Sequence, residues 1–316
     1  MKITVLDKNS LGADLSIDCL KKFGEVISFD TTSTDNTIKN ISDSDCIVIN
    51  KVRITREIME AVPSLKLICI FATGYDNVDI SAAKELGIGV CNVPGYSTDS
   101  VALITLATVL ALFTHLREYN RSVTDGTYTA SGVANRLTPV FHELKGMTWG
   151  IIGAGNIGSS VACIAESFGA RVIVNKKTPN DKFNCVDIDT LCRESDIITI
   201  HCPLNNETRG LISAEKIKLM KRSVIIVNEA RGAVVVDNDI TEAIKNGRIG
   251  AFGSDVYTSE PFGADHPFNS IMQYDNVLLT PHCAWGAFEA RVRCLCTICD
   301  NIQSFINGDR LNRVDK

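Results

Sequence analysis

Short runs rich in Ile and Val alternate with helical patterns along almost the whole chain, and no other feature restricts the fold so strongly. This is the pattern of parallel sheets covered by helices, and it places the chain in the α/β class. In residues 1–98 the candidate strands are 3–6, 26–29, 46–50, 67–70 and 89–91, separated by amphipathic segments such as 15–23 and 80–86. That stretch is expected to close a small doubly wound sheet. From Asp99 a helical pattern runs to Arg121, too apolar in its first half for a surface helix, and is expected to connect two domains. A loop rich in Gly, Ser and Thr follows at 125–138. A second series then offers strands at 148–152, 171–175, 197–200, 224–227, 249–253 and 277–279, and six strands in that order fit two mononucleotide-binding halves. The stretch 285–306 reads as one helix.

A length of 316 residues fits two domains, and a 45% hydrophobic share supplies a core. The 32 Lys and Arg against 37 Asp and Glu leave a net charge of −5 spread along the chain, which argues against a nucleic-acid or anionic-membrane partner. The longest apolar run, Val101 to Phe113, contains two threonines and falls short of the roughly 20 residues that cross a bilayer. The N-terminus has only a five-residue apolar strand before its first carboxylate, Asp7, shorter than the apolar core of a secretory signal, so no such signal is expected and a cytoplasmic location follows. Most of the twelve cysteines sit inside apolar strands or helices, as free thiols do in a reducing compartment. Cys294, Cys296 and Cys299 do not share one helical face, and no metal is expected.

Gly153-Ala154-Gly155-Asn156-Ile157-Gly158 follows an apolar strand and opens a helix, the context in which this glycine pattern binds a dinucleotide. Gly153 permits the tight turn, Gly155 lets backbone approach a pyrophosphate, and Gly158 lets helix and strand pack closely. The amides of Asn156 and Ile157 then face the phosphates at the positive end of the helix dipole. Sites for NAD usually place a carboxylate at the end of the next strand to accept from the ribose hydroxyls. Here that strand ends in Asn175, Lys176, Lys177 and Thr178, and two ammonium groups favour the 2'-phosphate of NADP. The alternative is that both lysines are solvated charges and NAD binds through other contacts.

Reducing a 2-keto acid requires a cation for the carboxylate and carbonyl, a proton donor beside the carbonyl oxygen, and a carboxylate to hold that donor in its tautomer. Three loops past the carboxyl ends of successive strands offer this set: Asn228-Glu229-Ala230-Arg231-Gly232, Asp255 to Pro261, and Thr280-Pro281-His282. With Ala72 to Asp79, Val93-Pro94-Gly95-Tyr96, His201-Cys202-Pro203-Leu204 and Glu207-Thr208-Arg209-Gly210, they form ordered blocks along the chain. Over essentially its full length the sequence resembles the D-isomer-specific 2-hydroxyacid dehydrogenases. The block 72–79 and His282-Cys283-Ala284-Trp285-Gly286 resemble the glycerate dehydrogenase or hydroxypyruvate reductase branch.

That resemblance implies a Rossmann-type cofactor domain over 99–285 and a smaller flavodoxin-like substrate domain from 1–98 and 286–316. It also implies a homodimer formed through the cofactor domain. By position it makes His282 the acid/base, Glu260 its orienting partner, and Arg231 the group that binds the substrate carboxylate and polarises the keto oxygen. The backbone at Thr73 and Gly74 would hold the other carboxylate oxygens, and Asp255 would read the nicotinamide carboxamide. Pro203 and Thr208 would lie near the adenosine half, while Glu229 and Ala230 would line the cofactor beside Arg231. Glu229 departs from the family, where a small hydroxyl residue or alanine is commoner; it either places a negative charge beside the nicotinamide pocket or is turned away. His201 is expected to be structural, and His115, His142 and His266 to be surface or packing residues. The expected reaction is hydride transfer between NAD(P)H and hydroxypyruvate or glyoxylate. Other readings are D-lactate or phosphoglycerate dehydrogenase of the same family and a nucleotide-sensing corepressor that keeps the fold. Formate dehydrogenase is disfavoured, because it carries glutamine where this chain has Glu260.

Overall fold

Nearly every Ile- and Val-rich run folds as a strand of a parallel sheet, because strands covered by helices on both faces take apolar side chains at successive positions. The computed structural model describes residues 1–178 and 182–316. Two units emerge, one made of Met1–Ser97 with Gly286–Lys316 and the other of Thr98–Trp285.

In the first unit the strands are β1 (Lys2–Val5), β2 (Glu25–Ser28), β3 (Cys46–Ile49), β4 (Leu67–Ile70) and β5 (Gly89–Cys91). They pair in the order β2-β1-β3-β4-β5, all parallel, which is the flavodoxin-like order. Both central strands, β3 and β4, are buried throughout, whereas the edge strand β2 exposes its ends. Helix Phe288–Ile306 returns to pack on β4 and β5. Its C-terminal extension is tied to the edge of β5: Val90 donates its amide to Asp315 at 2.9 Å and accepts from the amide of Val314 at 2.9 Å. The amphipathic stretch 15–23 becomes a 3-10 helix, Asp18–Phe23, rather than an α-helix. Gly24 (φ 143°) ends it against the first residue of the chain, leaving too few residues to offset the cost of nucleating an α-helix.

The second unit contains β6 (Thr148–Ile152), β7 (Arg171–Asn175), β8 (Ile197–Ile200), β9 (Ile225–Asn228), β10 (Ala251–Ser254) and β11 (Val277–Leu279). Their order is β11-β10-β9-β8-β6-β7, again all parallel, and a single bridge from Val174 to Cys185 extends the sheet beyond β7. The sheet is therefore doubly wound, and its direction of winding reverses between β6 and β8, where dinucleotides bind in sheets of this type. Alternate residues feed two cores. Ile152, Ile198, Ile226 and Phe252 fill one face, and Trp149, Ile151, Ile197 and Val227 the other. Trp149 is fully buried and satisfies its indole N–H on Thr199 Oγ1 at 3.1 Å.

The helical pattern from Asp99 to Arg121 is not one helix. It forms Thr98–Phe113 and Leu116–Thr124, bent by 64° at His115, which takes a left-handed φ of 53° and interrupts the backbone hydrogen-bond ladder. After the bend Arg117 reaches the Val277 carbonyl and Arg121 pairs with Asp275, two contacts at the β11 edge. The first helix lies on β9, β10 and β11. Gly253 makes this approach possible, since a Cβ there would sit 2.4 Å from Thr108 Cγ2. The following loop contains a short helix, Thr127–Ser131, between two left-handed glycines. Among the described residues no single helix is long and apolar enough to cross a membrane. Among the described residues no cysteine forms a disulfide, and seven of the twelve are buried: 46, 69, 91, 192, 202, 294 and 299.

Candidate active site

Strand β6 ends at Gly153, whose φ of 89° and donated bond to the Asn175 carbonyl (2.8 Å) turn the chain sharply into helix Asn156–Ser167. A Cβ at Gly153 would lie 2.6 Å from the Cys202 amide nitrogen, and one at Gly158 would lie 2.0 Å from the Gly153 carbonyl oxygen. These two glycines therefore serve close packing. Gly155 differs, for a Cβ there would have nothing within 4 Å. It opens a backbone cradle beside the first-turn amides of Asn156 and Ile157, which have no acceptor within the helix. Open space, free amides and the dipole of a 12-residue helix fit a pyrophosphate.

Three loops leave the carboxyl ends of β9, β10 and β11. In the first, Asn228 is fully buried, accepts from the Ala230 amide (3.2 Å) and donates to the Arg231 carbonyl (3.0 Å), fixing the turn that presents Arg231. Gly232 lets this loop press on the second, because a Cβ there would lie 1.9 Å from the Tyr257 carbonyl carbon. Glu260 in the second loop accepts from the Tyr257 amide on Oε1 (3.0 Å) and meets His282 Nδ1 on Oε2 at 2.5 Å. The histidine and glutamate side chains are 24% and 28% exposed, open enough to meet a reactant yet partly shielded from water. His282 holds a left-handed φ of 52°. The structure thus brings His282 and Glu260 into direct contact and seats the Arg231 loop against the loop that carries Glu260.

Asp255 lies beneath them, 1% exposed. Its Oδ1 accepts from Thr280 Oγ1 (2.6 Å) and the Cys283 amide (2.8 Å), and its Oδ2 accepts from the Ala284 amide (2.8 Å). It clamps the segment on both sides of His282, a role that an isolated Ser-Asp pair after a strand does not announce. Glu229 is turned inward rather than toward solvent. It is 8% exposed, and both carboxyl oxygens are buried without a hydrogen-bond partner. Burial, and then the neighbouring Asp255 carboxylate, push its pKa up to about 9. Both ring nitrogens of His201 are likewise buried without partners, and burial pushes its pKa down to about 3, so it is a neutral ring. His266 is not a surface residue: it is 7% exposed, accepts from the Phe268 amide, and packs its ring among Tyr257, Phe262 and Phe268 with Asp237 at 3.2 Å.

On the β7 side, Lys176 is half-buried and Lys177 is exposed, with its Nζ 3.1 Å from both oxygens of Glu207. Thr208 Oγ1 donates to the Pro203 carbonyl (2.6 Å), and Asn205 accepts from the amides of 207 and 208, so the loop after β8 is internally braced. In the first unit, Thr73 follows β4; its hydroxyl donates to the Val93 carbonyl (2.8 Å) and its carbonyl accepts from Asn92 Nδ2 (2.7 Å). Gly74, next to it, is half-buried.

A doubly wound sheet with this glycine cradle is the fold of nicotinamide-dinucleotide oxidoreductases. Residues 106–284 match the family described as D-isomer specific 2-hydroxyacid dehydrogenase, NAD binding domain. The chain is 35% identical over 325 residues to a hydroxypyruvate reductase of Blautia hydrogenotrophica, covering 100% of both chains. With a glycerate dehydrogenase of Methylorubrum extorquens it shares 34% identity over 99% of each. Among solved structures, D-lactate dehydrogenase from Aquifex aeolicus complexed with NAD and lactic acid superposes with a TM-score of 0.89 at 26% identity, covering 100% of this chain and 99% of that one. An acyclic imino acid reductase in complex with NADPH and D-Arg gives 0.88 at 30% identity, over 99% and 100%. The chain belongs to the D-isomer-specific 2-hydroxyacid dehydrogenase family. It is an NAD(P)-dependent oxidoreductase that acts on the CH–OH group of a small 2-hydroxy acid or reduces the corresponding 2-keto acid.

The two kinds of glycine should separate in stability. Gly158→Ala forces a methyl group against the Gly153 carbonyl and is expected to cost about 1–3 kcal/mol, while Gly155→Ala, with open space around it, changes stability by less than about 1 kcal/mol. Urea unfolding of the cofactor-free proteins measures both; equal losses would contradict the division of roles.

Proposed function

We propose that the protein reduces hydroxypyruvate or glyoxylate with NAD(P)H, giving D-glycerate or glycolate, and runs the reverse reaction when the acid/base group is deprotonated. The observation that carries this reading is the 2.5 Å contact between His282 Nδ1 and Glu260 Oε2 at the carboxyl end of the sheet. A carboxylate on Nδ1 holds the proton there and leaves Nε2 as the nitrogen that exchanges a proton with the substrate oxygen. When bound, the cofactor supplies or accepts the hydride. Arg231 supplies the cation for the substrate carboxylate and keto oxygen, on a turn braced by Asn228. The backbone of Thr73 and Gly74 holds the remaining carboxylate oxygens, making the first unit the substrate domain and the second the dinucleotide domain. Reduction takes a proton from His282 to the substrate oxygen, and oxidation returns one to it. The substrate choice rests on the names of the relatives, which include glyoxylate reductases as well.

For the cofactor, the reading favours NADPH. Gly153, Gly155 and Gly158 shape the pyrophosphate site, and the amides of Asn156 and Ile157 donate to it. Pro203 and Thr208 border the adenosine, Glu229 and Ala230 line the nicotinamide half, and Asp255 sits beneath that half. Lys176 and Lys177 stand where a ribose-binding acid is usual. Supporting the lysine assignment, Lys177 is 79% exposed and pairs at the surface with Glu207, a contact weak enough to be exchanged for a phosphate. We also propose a homodimer formed through the second unit. Leu103, Leu116, Val123, Leu137, Val140 and Phe141 are each more than half exposed, apolar surface that a partner subunit would cover. A cytoplasmic location accords with the free thiols.

Steady-state turnover of hydroxypyruvate, glyoxylate and pyruvate with each cofactor tests the activity. His282→Ala is expected to lower kcat by about 10² to 10⁴, and near-normal turnover would reject its role. In cofactor titrations, Lys176→Ala with Lys177→Ala should weaken NADPH and spare NADH; equal losses for both would assign the lysines elsewhere. For the assembly, Leu137→Glu with Val140→Glu is expected to convert a dimer to a monomer in sedimentation velocity, and an unchanged dimer would place the interface on another surface.

A further inference from the structure

Glu229 lies in the Arg231 turn, and the proton-transfer and substrate-binding roles proposed above leave its carboxyl group unassigned. It follows β9, and its amide donates to the Ile200 carbonyl at the end of β8 (3.3 Å), so it lies at the carboxyl ends of the strands that form the second mononucleotide-binding half. Only 8% of the residue is exposed, and neither carboxyl oxygen has a hydrogen-bond partner. A buried carboxylate without donors is among the costliest groups a protein can hold, whereas the protonated acid is a small polar group with one O–H to give and a carbonyl oxygen to receive.

Among the described residues no cation hydrogen-bonds to the Glu229 carboxyl. Asp255, after β10, adds like charge, and its own oxygens are occupied by Thr280, Cys283 and Ala284. Tyr257 and Cys283 share the same negative field, and burial raises the pKa of each. His201, at the end of neighbouring β8, is held neutral by burial. Arg231, two residues on, turns Nη1 to the Ala230 carbonyl at 2.8 Å. Every one of these groups either opposes a second negative charge or leaves it uncompensated.

We propose that Glu229 is a cofactor-binding residue that acts as a neutral carboxylic acid, offering its O–H and carbonyl oxygen to the nicotinamide carboxamide. The inference rests on the dinucleotide reading given above. An amide and a carboxylic acid are complementary, each carrying one donor face and one acceptor face, and this pairing satisfies both orphaned oxygens when the cofactor is present. A neutral acid also adds no charge near an acidic substrate, which resolves how a glutamate is tolerated beside Arg231.

The test compares wild type with Glu229→Gln, which keeps a neutral donor and acceptor, and with Glu229→Ala, which keeps neither. NADH binding is followed by fluorescence titration without substrate. At about pH 7 the Gln variant is expected to bind within about threefold of wild type and the Ala variant about three- to tenfold more weakly. Between about pH 7 and pH 10 the wild-type Kd should rise about tenfold as the acid ionises, and the Gln variant's Kd should not share that rise. Losing tenfold or more on Glu229→Gln, full binding by Glu229→Ala, or one common pH profile would each overturn the proposal. A second measurement needs no cofactor. An acid whose pKa is raised from 4.5 to about 9 on folding keeps a proton that the unfolded chain releases, so wild-type stability falls relative to Glu229→Gln as pH rises between those values and levels off above them. A constant difference across that window would show an ionised Glu229 and refute its neutral state. If wild type fails to bind either NADH or NADPH, the dinucleotide reading fails, while the unfolding comparison still reports the protonation of Glu229.

Discussion

The Asp255 carboxylate holds the rest of the candidate site in place. Backbone register alone brings β9, β10 and β11 side by side, with Ser254 opposite both Asn228 and Leu279. Past the last rungs the chain has no ladder to hold it, and Asp255 replaces one: its amide donates to the Asn228 carbonyl at 3.1 Å, and its carboxylate gathers three donors from residues 280–284. Hydrogen bonds to a buried charge contribute about 1.5–3 kcal/mol each, enough to hold His282 at a left-handed φ that costs on the order of 1–3 kcal/mol. His282 then needs only Glu260 to fix its ring.

Two glutamates near this clamp show how one side chain takes opposite parts. Glu260 is partly exposed and meets a backbone amide and an imidazole, partners suited to a carboxylate. Glu229 is buried, faces Asp255, and meets no donor, an environment suited to a carboxylic acid. Their division of labour follows from solvent and neighbours, since the side chains are chemically identical.

Much of this was legible in the residues. Strand positions inferred from Ile and Val runs lie within about two residues of those observed, because strands covered on both faces leave an unbroken apolar trace. The glycine loop was legible for a related reason: φ of 89° at Gly153 and the 2.0 Å approach at Gly158 exclude any Cβ. His282 and Glu260 were legible only as members of ordered blocks, since a lone Pro-His or Glu-Pro is ordinary loop sequence. Three features left no local trace. The bend at His115 interrupts a continuous helical pattern, because backbone dihedrals at a non-glycine residue are not written in its polarity. Asn228 and Asp255 act through backbone amides and a backbone carbonyl, which every sequence supplies. The packed ring of His266 depends on aromatic neighbours brought together by the loop after β10.

By itself the sequence determined the α/β class, the dinucleotide loop and the residue types available for acid/base chemistry, since hydrophobic period, glycine spacing and side-chain chemistry are properties of short segments. Tertiary structure alone decided which of those groups meet and in what state they meet. Whether Glu229 is a charge or a neutral acid, and whether His201 is a base or an inert ring, depends on water being excluded by residues far away in the chain. Desolvation and through-space charge are set by packing, and no local stretch of sequence contains them.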